Sequence, residues 1–182
     1  MTRYVAFLRG MNVGGHRASK DELIAMFAEA GFDGAKTFRT SGNVIFDAPD
    51  GNDCAEVQAA LEQAMEAALG YAVPTFLRTA AETLAIAAQQ PFTAKAVEAS
   101  KGKLQVSLLA AAPKAAARKA VLALATDDDR LAIDGSELYW LPSGGILETA
   151  LDMKAIDAAL GIQTRRTMGT IELIAAKFCA DD

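Results

Sequence analysis

The chain has 182 residues, a net charge of −5 and a pI near 5.0, which speaks against a protein held to nucleic acid by bulk charge. Its 52% hydrophobic and 23% charged residues exclude a disordered chain and allow one domain or two small ones. No apolar run reaches the ~20 residues of a membrane span. The first apolar run, Tyr4–Leu8, stops at Arg9, and Cys54 and Cys179 lie far apart, so the expectation is a cytoplasmic protein with reduced thiols and no zinc site.

Residues 3–9 read as a strand, rich in aromatic and branched side chains. A glycine-rich basic loop follows, Arg9 to Gly15, with His16 and Arg17 just beyond it. Ser19-x-x-Glu22 is a capping-box pattern, and Leu23, Ile24, Met26, Phe27 and Ala30 follow at helical spacing up to Gly31. Ala35–Phe38 and Val44–Phe46 read as short strands joined by a Ser-Gly-Asn turn. Asp53-x-x-Glu56 opens a helix that Gly70 closes. Ala72–Leu77 is a further strand, with Pro74 suggesting an edge position.

Thr79-x-x-Glu82 caps a short helix ending before Pro91, and Phe92 to Gly102 shows no period. Leu104–Leu109 reads as a strand, and Pro113 fits the first position of a helix continued by Ala117, Val121 and Leu124. Arg130–Ile133 and Glu137–Leu141 form a hairpin around Asp134-Gly135. Thr149–Leu160 reads as a helix stopped by Gly161. Gly161–Arg166 is either a short strand or is replaced by the last helix, from about Met168 to Phe178.

This order predicts an α+β fold of two tandem ferredoxin-like (βαββαβ) units, the second either complete or incomplete at its last strand, with a C-terminal helix. The expected boundaries are 1–78 for the first unit, 79–102 for a connecting helix and loop, and 103–182 for the second. In such a sheet the first and second strands run parallel, so the loop after the first opens beside the turn between the second and third. Arg9–Arg17 and Arg39–Asn43 then share one rim. Glycines admit a ligand close to the backbone, arginines fork phosphates and carboxylates, and the start of the Ser19 helix adds positive charge. The candidate ligand-binding residues are Arg9, Asn12, Gly14, Gly15, Arg39, Ser41, Gly42 and Asn43. The same glycines also serve plain turns, so both readings stay open.

Other motifs carry less. His16 has no nucleophile partnered by spacing. Asp127-Asp128-Asp129 reads as a solvated loop, Ser143-Gly144-Gly145 as a flexible connection, and Arg165-Arg166 could meet an anion or a carboxylate of the first unit. The sequence specifies no metal, no cofactor and no oligomeric state.

The run Tyr4-Val5-Ala6-Phe7-Leu8-Arg9-Gly10-Met11-Asn12-Val13-Gly14-Gly15, with Thr40-Ser41-Gly42-Asn43-Val44-Ile45-Phe46, resembles the DUF1697 family of bacterial proteins. The likeness extends over essentially the whole chain, including Gln90-Pro91-Phe92, Leu138-Tyr139 and the Arg-Thr-rich end. It implies two ferredoxin-like units in tandem and supplies no reaction, since the family's activity is not established. Two departures stand out: Thr167 and Met168 occupy places where the family usually has Asn and Trp, and Thr149-Ala150 replaces a frequent serine-lysine pair.

The expected function is binding of a small anionic ligand, a nucleotide or phosphorylated metabolite. The alternatives are an enzyme acting on such a ligand, with His16 or Ser41 as candidate groups, and a structural or interaction protein without a pocket. Nucleic acid is disfavoured by the acidic pI and by a third strand reading Val44-Ile45-Phe46 in place of an aromatic RNA-binding pattern.

Overall fold

The computed structural model describes residues 1–11, 15, 17–39 and 42–180. Asn12, Gly14, His16 and Ser41, named above as candidates, lie outside the described residues. Among those described, the fold is mixed α+β, with two four-stranded antiparallel sheets and seven α-helices. The chain divides into two compact units, residues 1–85 with 174–182, and residues 86–173. Among the described residues no helix is long and apolar enough to cross a membrane.

In the first unit the order is β1 (Thr2–Leu8), α1 (Lys20–Glu29), β2 (Lys36–Thr37), β3 (Asn43–Ala48), α2 (Cys54–Leu69) and β4 (Thr75–Thr79). The strands lie in the order β2-β3-β1-β4, every neighbour antiparallel, with Val5 opposite both Ile45 and Arg78. Alternate residues of β1 (Tyr4, Ala6 and Leu8) join Phe46, Leu23, Phe27, Leu61 and Met65 in one core. Removing each leucine, phenylalanine or methionine side chain among them from water is worth about 1.5–3 kcal/mol. Phe46 is the centre of this core, stacking on Tyr4 at 5.7 Å and meeting Phe27 edge-on at 5.3 Å. Val5 and Phe7 point to the other face and are buried too, which accounts for the unbroken apolar run in sequence.

The predicted caps are present. Ser19 Oγ accepts the Glu22 N–H at 3.2 Å while Glu22 Oε2 accepts the Ser19 N–H at 2.7 Å. Gly31 follows α1 at φ +89° and Gly70 ends α2 at φ +78°. β4 begins three residues later than its sequence pattern suggested: Pro74 donates no hydrogen bond, and the strand starts directly after it, at the sheet edge.

The second unit contains the tail of α3 (Ala80–Ala87), then α4 (Ala94–Ala99), β5 (Gln105–Leu109), α5 (Ala115–Leu122), β6 (Asp129–Asp134), β7 (Glu137–Pro142), α6 (Met153–Leu160), β8 (Gln163–Thr167) and most of α7 (Met168–Ile174). Its strand order is β6-β7-β5-β8, again antiparallel throughout. Three local expectations are corrected. The stretch 92–102 holds the six-residue α4, capped by Thr93, too short to show a period. Pro113 precedes α5 by two residues, with Lys114 at the N-cap. Thr149 does not open α6: its hydroxyl accepts the Leu151 N–H in a local turn, and Asp152 caps the helix. The last strand, left open above, is β8. The helix after it widens at Ala175–Cys179 into a π-helical segment that belongs to the first unit.

Candidate functional site

The β1–α1 loop and the β2–β3 loop do meet. The Leu8 N–H donates to the Gly42 carbonyl at 2.8 Å, extending the β1–β3 ladder past its last paired residues. Gly42 sits at φ +70°, and a Cβ there would stand 3.1 Å from Leu8 Cβ and 3.2 Å from Met11 Cγ. Glycine is therefore required twice, by backbone conformation and by the close approach of the two loops.

Beside this junction lies an open cavity of about 360 Å³, within the usual range for small-ligand sites. Its wall includes Arg17, Ser19 and Lys20 from the start of α1, Thr37, Arg39, Gly42 and Asn43 from the β2–β3 side, and apolar Ala18 and Leu23. Three cations line it, and among the described lining residues none is a carboxylate. Asp21 and Glu22, in the first turn of α1, flank the cavity with charge of the same sign as an anion.

Arg39 is exposed and holds φ +57°, alone among the described non-glycine residues in having positive φ. Such a conformation costs about 1–3 kcal/mol and persists only where its surroundings impose it. Its guanidinium carbon lies 5.5 Å from the centroid of the Phe38 ring, within cation–π reach. Asn43 is fully buried. Its Nδ2 donates to the Phe38 carbonyl at 3.0 Å, and the Phe38 N–H donates to the Asn43 carbonyl at 2.9 Å. These two bonds close the neck of the loop and make Asn43 a wall of the cavity whose amide is already engaged.

Part of the positive end of α1 is engaged by its own cap. Glu22 takes the Ser19 N–H and gives its own N–H to Ser19 Oγ, and the bond from the Ser19 backbone holds its carboxyl below the usual carboxylate range. The lining cations Arg17, Lys20 and Arg39 supply charge for a ligand, and the Glu22 carboxylate offsets part of what the helix start adds. Arg9 and Gly15 do not line the cavity. The Arg9 N–H is turned the other way and donates to the Pro74 carbonyl at 2.9 Å, while Gly15 is exposed at φ +90°. Conversely Lys20, Thr37 and Leu23 line it without having been singled out, and so does Arg17, which was placed at the rim but not among the candidate ligand-binding residues. Arg17 lies two residues before Ser19 and Lys20 directly after it, within the capping box, and this pair of basic residues at the helix start was the available signal.

The other motifs have structural placements. Asp129 is buried in β6 and accepts the Trp140 indole N–H at 2.7 Å. Among the described residues no three of His, Cys, Asp or Glu are grouped to hold a metal ion. Arg165 lies over the Trp140 ring at 4.9 Å, and burial lowers its pKa, opposed by Asp157. Arg166 is buried deeper; it donates to Thr164 Oγ1 and the Arg165 carbonyl, and burial pushes it down to about 10.

The family model described as "Protein of unknown function (DUF1697)" matches residues 1–139, which include both loops. No curated protein matches the chain. A solved structure of a conserved bacterial protein from Streptococcus pneumoniae is similar over 97% of each chain, with a TM-score of 0.75 and 17% identity. At that identity the likeness concerns the fold.

Proposed function

Since the chain belongs to the DUF1697 family, whose function is unknown, we propose a function from the cavity itself: it binds a small anionic ligand, a nucleotide or a phosphorylated metabolite. The observation that carries this reading is the wall of Arg17, Lys20 and Arg39, with no carboxylate among the described lining residues. The strained backbone of Arg39 supports it, because strain of this kind collects where side-chain direction matters. Leu23 and Ala18 offer the less polar part of a ligand an apolar surface.

The proposal includes the finer architecture, two ferredoxin-like units in tandem. Its support is the shared strand order and a repeat at residue level. Arg78 on β4 faces Val5, and Arg166 on β8 faces Val106. Each is buried, each donates Nη1 to the preceding carbonyl at 2.7 Å, and each is followed by a threonine whose hydroxyl accepts an N–H three residues on. A cytoplasmic location is proposed with it, supported by cysteines that are free, Cys54 exposed and Cys179 buried.

The test is a thermal-shift and calorimetric screen with nucleotides and sugar phosphates. Ligand at about 100 times its dissociation constant should stabilise the protein by about 2.7 kcal/mol. Wild-type protein that shifts with no anion contradicts the reading.

A further inference from the structure

We propose that Phe178, carried by the π-helical segment Ala175–Cys179, is a positioning residue for the cavity: it fixes Phe38 and, through that ring, the direction of Arg39. The inference rests on the anion-binding reading for its functional meaning, and on independent geometry for its mechanism.

Phe38 is the hinge between the two. Its backbone is pinned from inside by the pair of bonds to Asn43. Those bonds act on the backbone, while the neighbouring guanidinium lies against the ring, 5.5 Å from its centroid. Phe178 meets it edge-on, with centroids 5.8 Å apart and planes at 77°. Lys177 Nζ lies 5.9 Å from the Phe38 centroid and 5.2 Å from that of Phe178. Two cations from distant parts of the chain, Arg39 and Lys177, therefore gather on one aromatic ring.

Phe178 is itself held. Its carbonyl accepts Arg3 Nη1 at 3.1 Å, across 175 residues of sequence. Arg3 in turn makes a two-pronged pair with Asp47, at 2.9 and 3.2 Å. Ile174, Ala175 and Cys179 are buried and anchor the segment on either side. A π-helical turn is rare and recurs at functional positions; here its residues Lys177 and Phe178 both reach the ring next to the strained arginine. A left-handed non-glycine residue needs surroundings that over-determine it, and this contact is a source of that restraint from outside the loop.

The experiment uses the full chain with Phe178→Ala and Phe178→Tyr, the second keeping the ring. In ligand-free protein, amide hydrogen exchange is read at residues 38, 39, 42 and 43, with residues 75–79 of β4 as the internal reference. Inorganic pyrophosphate is the binding probe. Phe178→Ala should exchange faster at the loop alone and bind pyrophosphate about three- to tenfold more weakly, the worth of one aromatic pair. Phe178→Tyr should match the wild type in both. Loop exchange unchanged in Phe178→Ala overturns the positioning role whatever the binding result, and so does undiminished affinity. Faster loop exchange in Phe178→Ala, in a protein whose wild type ignores pyrophosphate and every other anion, supports the positioning of the loop and removes the anion reading.

Discussion

Replacing Arg39 by alanine and by glycine separates its backbone from its side chain. Both variants lose the guanidinium and the contact with Phe38, so any difference between them belongs to the main chain at φ +57°. A residue with a Cβ pays roughly 1–2 kcal/mol in the left-handed region. Glycine pays nothing there, and gives back roughly 0.4–1 kcal/mol through the greater freedom of its unfolded chain. The expected balance favours Arg39→Gly over Arg39→Ala by about 1 kcal/mol. Urea unfolding followed by circular dichroism reads this directly. With a slope of roughly 1–3 kcal/mol per molar urea, the midpoint of the glycine variant should lie about 0.3–1 M higher. Both variants should lose anion binding alike. An alanine variant as stable as the glycine variant would refute the claim that strain is stored at this position.

Two further outcomes follow from neighbouring residues. Gly42→Ala should destabilise by about 1–3 kcal/mol, because it adds a Cβ at positive φ within 3.1 Å of Leu8 Cβ; a urea midpoint equal to wild type would show that the loops do not meet this closely. Glu22→Gln should tighten anion binding at low ionic strength, since it removes a negative charge next to Lys20; unaltered affinity would speak against the anion sitting at this end of α1. The pH dependence has a definite sign. The folded pKa of Glu22 lies below its ordinary value near 4.5, so the stabilisation from its capping bonds is present above that value and is lost as pH falls through the lower, folded one. The gap in urea midpoint between wild type and Glu22→Gln should narrow over that acid range, and a gap constant with pH would contradict the assignment.

Much of the first unit was legible because its signals are local and chemically specific. A capping box announces itself at Ser19 and Glu22, and Gly31 and Gly70 stop helices where a left-handed residue is needed. The meeting of two basic loops was legible from topology alone, since strand order determines which loops share an end of the sheet. Which side chains line the cavity was not. Arg9 and Arg39 look equivalent in sequence, yet the Arg9 backbone is engaged by Pro74 on the far side of β1. Asn43, a candidate ligand-binding residue in the sequence, does line the cavity, but that it would be buried at the first residue of β3 with Nδ2 donated to the Phe38 carbonyl was not legible. The six residues of α4 lack enough turns to show a period. The return of the last segment to the first unit depends on contacts such as Arg3 with Phe178, which leave no mark in any local window.

The central claim, that cations at the junction of the two loops hold an anion, is tested most directly by calorimetric titration of phosphorylated ligands into wild type and into Lys20→Ala/Arg39→Gly. The glycine at position 39 keeps the backbone unstrained, so the double variant loses charge without losing the loop. The account predicts saturable binding to the wild type that weakens steeply with salt, and at least a tenfold loss in the variant, about 1.4 kcal/mol. Equal affinity in the two proteins would contradict it.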